Sequence, residues 1–283
     1  MVVESLMNPL KAQRQPWELF FMGVFYSSIA LFLSLWIFEE YAGLVMVFLS
    51  VMACLPLIYH TLALEEEKDV EIFEEQKLLK EHSKAVLVYS LLFFGLTVGF
   101  SFWYVVLPAN LSNSIFQIQT TMISNLNQQV TGGFIQINLL SKIFLNNVKV
   151  LIFCILFSFI YGSGAMFILS WNASVIGAAA GNFIRTHLAD YASAVGLVKV
   201  GSYFYVVGLS LLRYSIHGAP ELIAYFIAGI AGGILSVAIM RNEFGTRNFE
   251  RILLDVSDMV LIAVFILFFA ALLEVFVTPI FFT

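Results

Sequence analysis

The chain has 283 residues, of which 60% are hydrophobic and only 12% are charged, and its formal net charge is −5 at pH 7. Soluble domains carry about 25% charged residues, so this composition, with a mean hydropathy of +0.92, excludes a soluble globular protein. Apolar runs of about 20 residues, enough to cross ~30 Å of hydrocarbon as a helix, recur along the chain. The sequence therefore predicts an all-α, polytopic transmembrane helical bundle that forms a single integral membrane domain over residues 1–283.

Seven spans and one partial helix are predicted in chain order. The spans cover residues 17–38, 43–64, 86–107, 147–170, 196–214, 220–240 and 256–278. Between the fourth and fifth spans, the apolar part of residues 172–195 runs only from Ala173 to Ile184, which is shorter than a membrane span. This segment is expected to be a re-entrant or interfacial helix, and the sequence leaves open whether it spans instead.

The distribution of positive charge predicts the orientation, because Lys and Arg are retained on the cytoplasmic side of a membrane. If the partial helix does not span, all Lys and Arg residues except Lys142, Lys149 and Arg213 lie on one side, including Arg185 and Lys199. We therefore expect the chain in the cell membrane, with a cytoplasmic N-terminus and an extracytoplasmic C-terminus.

The first long connection covers residues 65–84 and is strongly charged. Glu65 and Lys68, like Glu81 and Lys84, stand at a spacing that supports ion pairs along a helix. We expect a cytoplasmic, charged helical hairpin extension with a solvated face. The alternative is a docking surface for a protein partner.

The second long connection, residues 108–146, lacks charge from Pro108 to Ser141. Apolar residues recur there at helical spacing, which predicts an amphipathic helix. These residues are Leu111, Ile115, Ile118, Met122 and Leu126. We expect this extracytoplasmic helix to lie on the outer membrane face, to cap the bundle, or to contact a protein partner.

The stretch YSIHGAPELIAYFIAGIAGG, residues 214–233, combines a turn-like sequence with an apolar helix. Pro220 suits the first position of a helix, and Glu221 suits the first turn, near the positive end of the helix dipole. Gly218 allows a tight entry. These residues predict a helix start, which leaves His217 unexplained.

Several polar residues are expected to converge at the outer end of the bundle, where ionisable groups are costly and mark functional sites. The predicted polar cluster comprises Asn146, Asn147, Arg213, His217, Glu221 and Glu274. His217 has only carboxylates beside it, too few ligands for zinc, so neither a metal nor a cofactor is expected. No catalytic residue is assigned.

Small residues recur at spacings that let helices approach closely. They are Gly177, Gly181, Ala228, Gly229, Gly232 and Gly233. These residues predict either close packing within the bundle or the seam of a homodimer, and the sequence leaves both open.

Residues 140–240 resemble the stage II sporulation protein M family of integral membrane proteins, which includes archaeal members. The resemblance rests on FLNNVKVLIFCILFSFIYGSGAMFILSWNASVIGAAAG followed by HGAPELIAYFIAGIAGG. In spore-forming bacteria, the namesake holds cell-wall hydrolases at the division septum. The resemblance implies a shared membrane core around Asn146, Asn147, Asn172, Gly177, His217, Gly218, Pro220 and Glu221.

Three functions follow from these patterns. The first is a non-enzymatic multi-pass membrane protein that acts as a scaffold or a membrane-shaping, organising component. The second is a transporter or channel with a polar path through Arg213, His217, Glu221 and Glu274, and the third is an intramembrane or lipid-handling enzyme. Membrane lipids and a second copy of the chain are the expected partners. Nucleic acid is not expected, because the sequence has no basic patch.

Overall fold

The computed structural model describes residues 9–72, 74–130, 136–161, 164–191, 196–241 and 245–278, and the chain is a bundle of helices without a strand in these ranges. The helices are α1 Pro9–Arg14, α2 Trp17–Ile37, α3 Ala42–Glu71, α4 Glu75–Val106, α5 Ala109–Ile115, α6 Gln117–Val130, α7 Gln136–Tyr161, α8 Ala165–Ala189, α9 Gly196–Met240 and α10 Arg247–Leu272. A 3₁₀ turn, Glu39–Tyr41, precedes α3, and a π-helical turn, Leu273–Val277, continues α10. Within these ranges, 7 helices are long and apolar enough to cross a membrane, which confirms the all-α membrane bundle.

Helix α8, the fifth of the seven span-length helices, differs from the prediction. α8 has 25 residues and is long and apolar enough to span, so the partial helix predicted over 172–195 is wrong. The prediction assigned the first turns of α8 to the fourth span, which left the remainder too short. The helix boundary instead lies at Gly164, whose close approach to the backbone of Phe157 leaves no room for a side chain.

The predicted fifth and sixth spans belong to one continuous helix. α9 has 45 residues and contains Pro220 in its interior, so the helix start predicted at Gly218–Glu221 is wrong. Only residues Gly218–Met240 form an apolar stretch long enough to span, and Val198–Leu212 is a shorter apolar stretch. Proline inside a helix removes one backbone hydrogen bond, and the sequence alone does not reveal that this helix continues past it.

Contacts between α4 and α8 show which residues lie at each end of the bundle. Gly177 packs on Phe100 and Gly181 on Tyr104, so α8 runs parallel to α4. Arg185 then donates to the carbonyl of Val105, at the end of α4 opposite the α3–α4 connection. We call the end with the α3–α4 connection the inner end.

Arg185 was predicted on the same side as the α3–α4 connection, and the structure corrects this. Lys199 lines a small cavity with Leu188 and Ala189, so it lies near Arg185 as well. The inner end nevertheless keeps most of the positive residues of the chain. They are Lys11, Arg14, Lys68, Lys77, Lys80, Lys84, Arg241, Arg247 and Arg251. By the same rule of charge retention, the inner end stays the predicted cytoplasmic end.

Glycines set the spacing of the central helices. Gly23 of α2 and Gly95 of α4 face one another, and a Cβ on either would overlap the backbone of the opposite helix. Gly232 of α9 packs on Ile155 of α7, and Gly233 packs on Leu62 of α3. Such contacts allow dispersion and close packing to hold helices together in lipid, where the hydrophobic effect between them is small.

Candidate functional site

Four buried ionisable side chains meet at the inner end. Nδ1 of His82 on α4 lies 2.9 Å from a carboxylate oxygen of Glu65 on α3. Nε2 of the same ring lies 2.9 Å from Asp69 of α3 and 3.2 Å from Asp255 of α10. All four residues are at most 8% exposed. We call Glu65, Asp69, His82 and Asp255 the inner ionic cluster.

Basic and polar side chains from two further helices extend this cluster. Lys68 contacts Glu65 at 2.8 Å, and Gln13 of α1 donates to the same carboxylate at 2.7 Å. Arg241, which directly follows α9, forms ion pairs with Glu66 and, at 2.9 Å, with Glu67. Polar contacts therefore connect the inner ends of α1, α3, α4, α9 and α10.

The inner ionic cluster requires a bound cation, whether a proton or another ion. A neutral imidazole has one N–H, yet both ring nitrogens of His82 face carboxylate oxygens. Buried charges are costly unless they are paired, and Glu65, Asp69 and Asp255 together bring three carboxylates. Protonation of His82 provides one positive charge beside Lys68, and a metal ion bound at Nε2 would provide more.

The sequence prediction missed this cluster because it treated residues 65–84 as a solvated hairpin. Several residues of this segment are exposed, as expected, and the pairs Glu65–Lys68 and Glu81–Lys84 form. A signal was nevertheless present. Leu62, Glu65 and Asp69 follow one another at steps of three and four, so the carboxylates continue the buried face of α3.

The predicted outer polar cluster is only partly within the described side chains. Glu221 accepts a hydrogen bond of 2.7 Å from the hydroxyl of Tyr225, and Glu274, in the π-helical turn, lies close enough to Glu221 for electrostatic interaction. Asn147 is buried and its amide nitrogen has no hydrogen-bond partner among the described residues, whereas Asn146 is exposed. The side chains of Arg213 and His217 lie outside the described residues.

An apolar cavity of about 290 Å³ lies between α4, α8 and α9. Leu91, Phe94, Ile176 and Leu222 contribute to its lining, and the Ser210 hydroxyl beside it is buried with no hydrogen-bond partner in the described part of the chain. Binding sites for small molecules combine apolar walls with a few converging polar groups. The apolar lining suits a hydrocarbon chain better than a charged substrate.

Among the described residues, one group of side chains is close enough to hold a metal ion. Ligand atoms of Asp69, His82 and Asp255 all lie within 4.8 Å of one another. No metal was expected from the sequence, because His217 has only carboxylates beside it and the predicted topology places His60, His82 and His187 on the cytoplasmic side. The folded chain instead joins His82 to an aspartate 173 residues away.

The chain matches a known protein family. A family described as stage II sporulation protein M matches residues 90–279, about two thirds of the chain and a wider range than residues 140–240, on which the resemblance rests. Comparisons with curated proteins and with solved structures gave no match. Asp255 and Arg241 lie inside the matched range, whereas Glu65, Asp69 and His82 precede it. The inner ionic cluster thus joins the matched region to the helices before it.

Proposed function

We propose that this chain, which belongs to the stage II sporulation protein M family, is a non-enzymatic scaffold that organises and shapes the membrane around it. The observation that carries the proposal is the outer amphipathic segment α5–α6. It is anchored to the bundle and at the same time presents apolar side chains outward. Membrane lipids are the partner that this arrangement suits.

The anchoring of α5–α6 is specific. Ile115 and Phe116 are buried against the bundle, and Gln119 is fully buried. The Gln119 amide donates to the backbone carbonyl of Gly43 at 3.1 Å and to the hydroxyl of Ser174 at 3.3 Å. Because these contacts reach α3 and α8, the outer segment moves with the bundle rather than as a free loop.

Beside this buried face, the same segment exposes apolar side chains. Ile118 is 42% exposed and Met122 is 44% exposed, and both come from a stretch without any charge. An uncharged amphipathic helix attaches to lipid through its buried apolar area. Because the bundle holds this helix at a fixed depth, its apolar side chains occupy area in the outer leaflet of the membrane and favour membrane curvature.

The helix face between Asp255 at the inner end and Glu274 at the outer end favours a scaffold over a transporter. Asp255 and Glu274 are 19 residues apart in sequence, or about 28 Å along a helix. The buried residues of α10 between them are all apolar: Val256, Met259, Ala263, Leu267, Ala270 and Ala271. Ion paths require polar groups at short intervals, and this face of α10 supplies none.

A second copy remains part of the proposal, although not through the small residues of the sequence analysis. Gly177, Gly181, Gly229, Gly232 and Gly233 all contact other helices of the same chain. These contacts support close packing within the bundle at these positions. A dimer would use the exposed apolar faces instead.

The shape of reconstituted vesicles tests the proposal. Vesicles of neutral phospholipid containing the wild-type protein are expected to be smaller or more tubular than protein-free vesicles in electron cryo-microscopy. The double variant Ile118→Ser/Met122→Ser should shift the diameters back towards protein-free values, because it removes the exposed apolar face without touching Gln119.

The matched control is Gln117→Ser/Thr121→Ser, two exposed polar positions on the same helix. It should leave the wild-type diameters unchanged. Wild-type vesicles with the diameters of protein-free vesicles, or equal effects of the two double variants, would refute the membrane-shaping role.

A further inference from the structure

We propose that Asp69, His82 and Asp255 bind one divalent transition-metal ion, with Glu65 as the positioning residue that orients His82. This site fixes the inner ends of α3, α4 and α10 relative to one another, and it goes beyond the scaffold function. The proposal rests on the geometry of these four side chains and on one carboxylate oxygen that has no protein partner.

The distances around His82 match the spacing of metal ligands. Zinc bonds to histidine nitrogen and to carboxylate oxygen are ~2.0–2.2 Å long, so adjacent ligands lie about 2.9–3.5 Å apart at octahedral or tetrahedral angles. Nε2 of His82 lies 2.9 Å from Oδ1 of Asp69 and 3.2 Å from Oδ2 of Asp255. The ligand atoms of the three residues all lie within 4.8 Å of one another, so one ion can lie among them.

Glu65 holds the ring in the tautomer that a metal ligand needs. Its Oε2 lies 2.9 Å from Nδ1 of His82, so the Nδ1–H group can donate a hydrogen bond to Glu65 while the Nε2 lone pair stays free. Metal-binding histidines commonly donate their other N–H to a carboxylate in this way. Lys68 and Gln13 contact the other oxygen of Glu65 and hold it in place.

An unpaired carboxylate oxygen provides independent support. The Asp69 side chain is 1% exposed, and its Oδ2 is buried without a hydrogen-bond partner among the described residues. A buried acceptor without a partner costs free energy. A metal ion bound by both oxygens of Asp69 would give Oδ2 a partner.

Charge balance is compatible with a divalent ion. Glu65, Asp69 and Asp255 carry three negative charges when ionised, and Lys68 pairs with Glu65. A divalent ion with a neutral His82 would offset the charges of Asp69 and Asp255.

The ligand types identify the class of ion. Imidazole with carboxylates suits zinc, manganese and ferrous iron, whereas magnesium and calcium prefer oxygen ligands alone. The chain binds these ions through one aspartate of α3, the histidine of α4 and one aspartate of α10. None of the three ligands lies next to another in sequence.

Equilibrium dialysis of the full-length protein in lipid nanodiscs, stripped with a chelator, tests the site. Wild-type protein is expected to bind one Zn²⁺ per chain in the presence of a 100-fold excess of Mg²⁺, with the metal measured by mass spectrometry. Bound Zn²⁺ should also raise the thermal midpoint, because an ion that binds only the folded state stabilises it.

Variants separate the site from unspecific binding. Asp255→Asn should weaken Zn²⁺ binding at least about 100-fold, and Glu65→Gln about 10–100-fold, as for other residues that support a metal ligand. His60→Gln, at an exposed position of α3, is the matched control and should bind like wild type. Circular dichroism establishes that each variant is folded.

The wild-type measurement decides the outcome even if a variant does not fold. Wild-type protein that binds no Zn²⁺ above empty nanodiscs overturns the proposal, and the inner ionic cluster is then an ion-pair network around a protonated His82. Folded Asp255→Asn protein that binds Zn²⁺ as tightly as wild type overturns it as well.

Discussion

Replacing His82 with leucine is expected to destabilise the folded protein by about 3–5 kcal/mol, because removing one member of a buried ion pair leaves uncompensated charge. The substitution leaves Glu65, Asp69 and Asp255 buried at the inner end, and of these three Glu65 keeps its ion pair with Lys68. This expectation holds whether the cation at Nε2 is a proton or a metal ion. The measurement is the free energy of unfolding in mixed micelles.

Two further variants make this prediction specific. His60→Leu removes a histidine from an exposed position of α3 and should change the free energy of unfolding by less than about 0.5 kcal/mol. The variant His82→Leu/Asp69→Leu/Asp255→Leu should be more stable than His82→Leu alone, because it also removes the two unpaired carboxylates and leaves Glu65 paired with Lys68. A His82→Leu protein as stable as His60→Leu would show that the inner ionic cluster does not hold the helices.

Replacing Gly95 with leucine is expected to disrupt the contact between α2 and α4, at a cost of about 3 kcal/mol or more. A Cβ at this position would overlap the carbonyl of Phe20 and lie 3.1 Å from the Cα of Gly23. These are backbone atoms, so no side-chain rotation relieves the overlap. The two helices would have to separate along their length.

The control for this prediction is Gly208→Leu on α9, where a Cβ would have open space around it. Leucine has a higher helix propensity than glycine, so this substitution should be neutral or stabilising by up to about 1 kcal/mol. Both variants change a glycine inside a helix to the same residue, and only the surroundings differ. Equal free energies of unfolding for the two variants would contradict the close α2–α4 contact.

The sequence predicts the membrane-spanning helices well where apolar runs of span length have clear boundaries. α2, α3 and α4 all match predicted spans, because their apolar stretches end at charged or turn residues. Around Gly164 and Pro220 the same reasoning fails. Apolar residues continue on both sides of each point, so hydropathy alone cannot show that the helix ends at the first and continues through the second.

The inner ionic cluster lies largely beyond the reach of sequence reasoning. His82 and Asp255 are 173 residues apart, and a single sequence offers no reason to pair them. Helix periodicity predicts only that Glu65 and Asp69 share a face with Leu62. That those carboxylates are buried depends on the packing of α4 and α10 over them, which is a tertiary property. The sequence also predicted Arg185 at the wrong end of the bundle, because its position depends on the direction in which α8 runs.

The proposed scaffold function implies that the polar groups at the two ends of this bundle do not form a path for ions. Proton flux into liposomes containing the wild-type protein, followed with an enclosed pH-sensitive dye under an applied membrane potential, tests it most directly. We predict the same flux as in protein-free liposomes, and no change in the variant Glu221→Gln/Glu274→Gln. Flux well above the protein-free level that this variant abolishes would contradict the account and establish a transport path through the two glutamates.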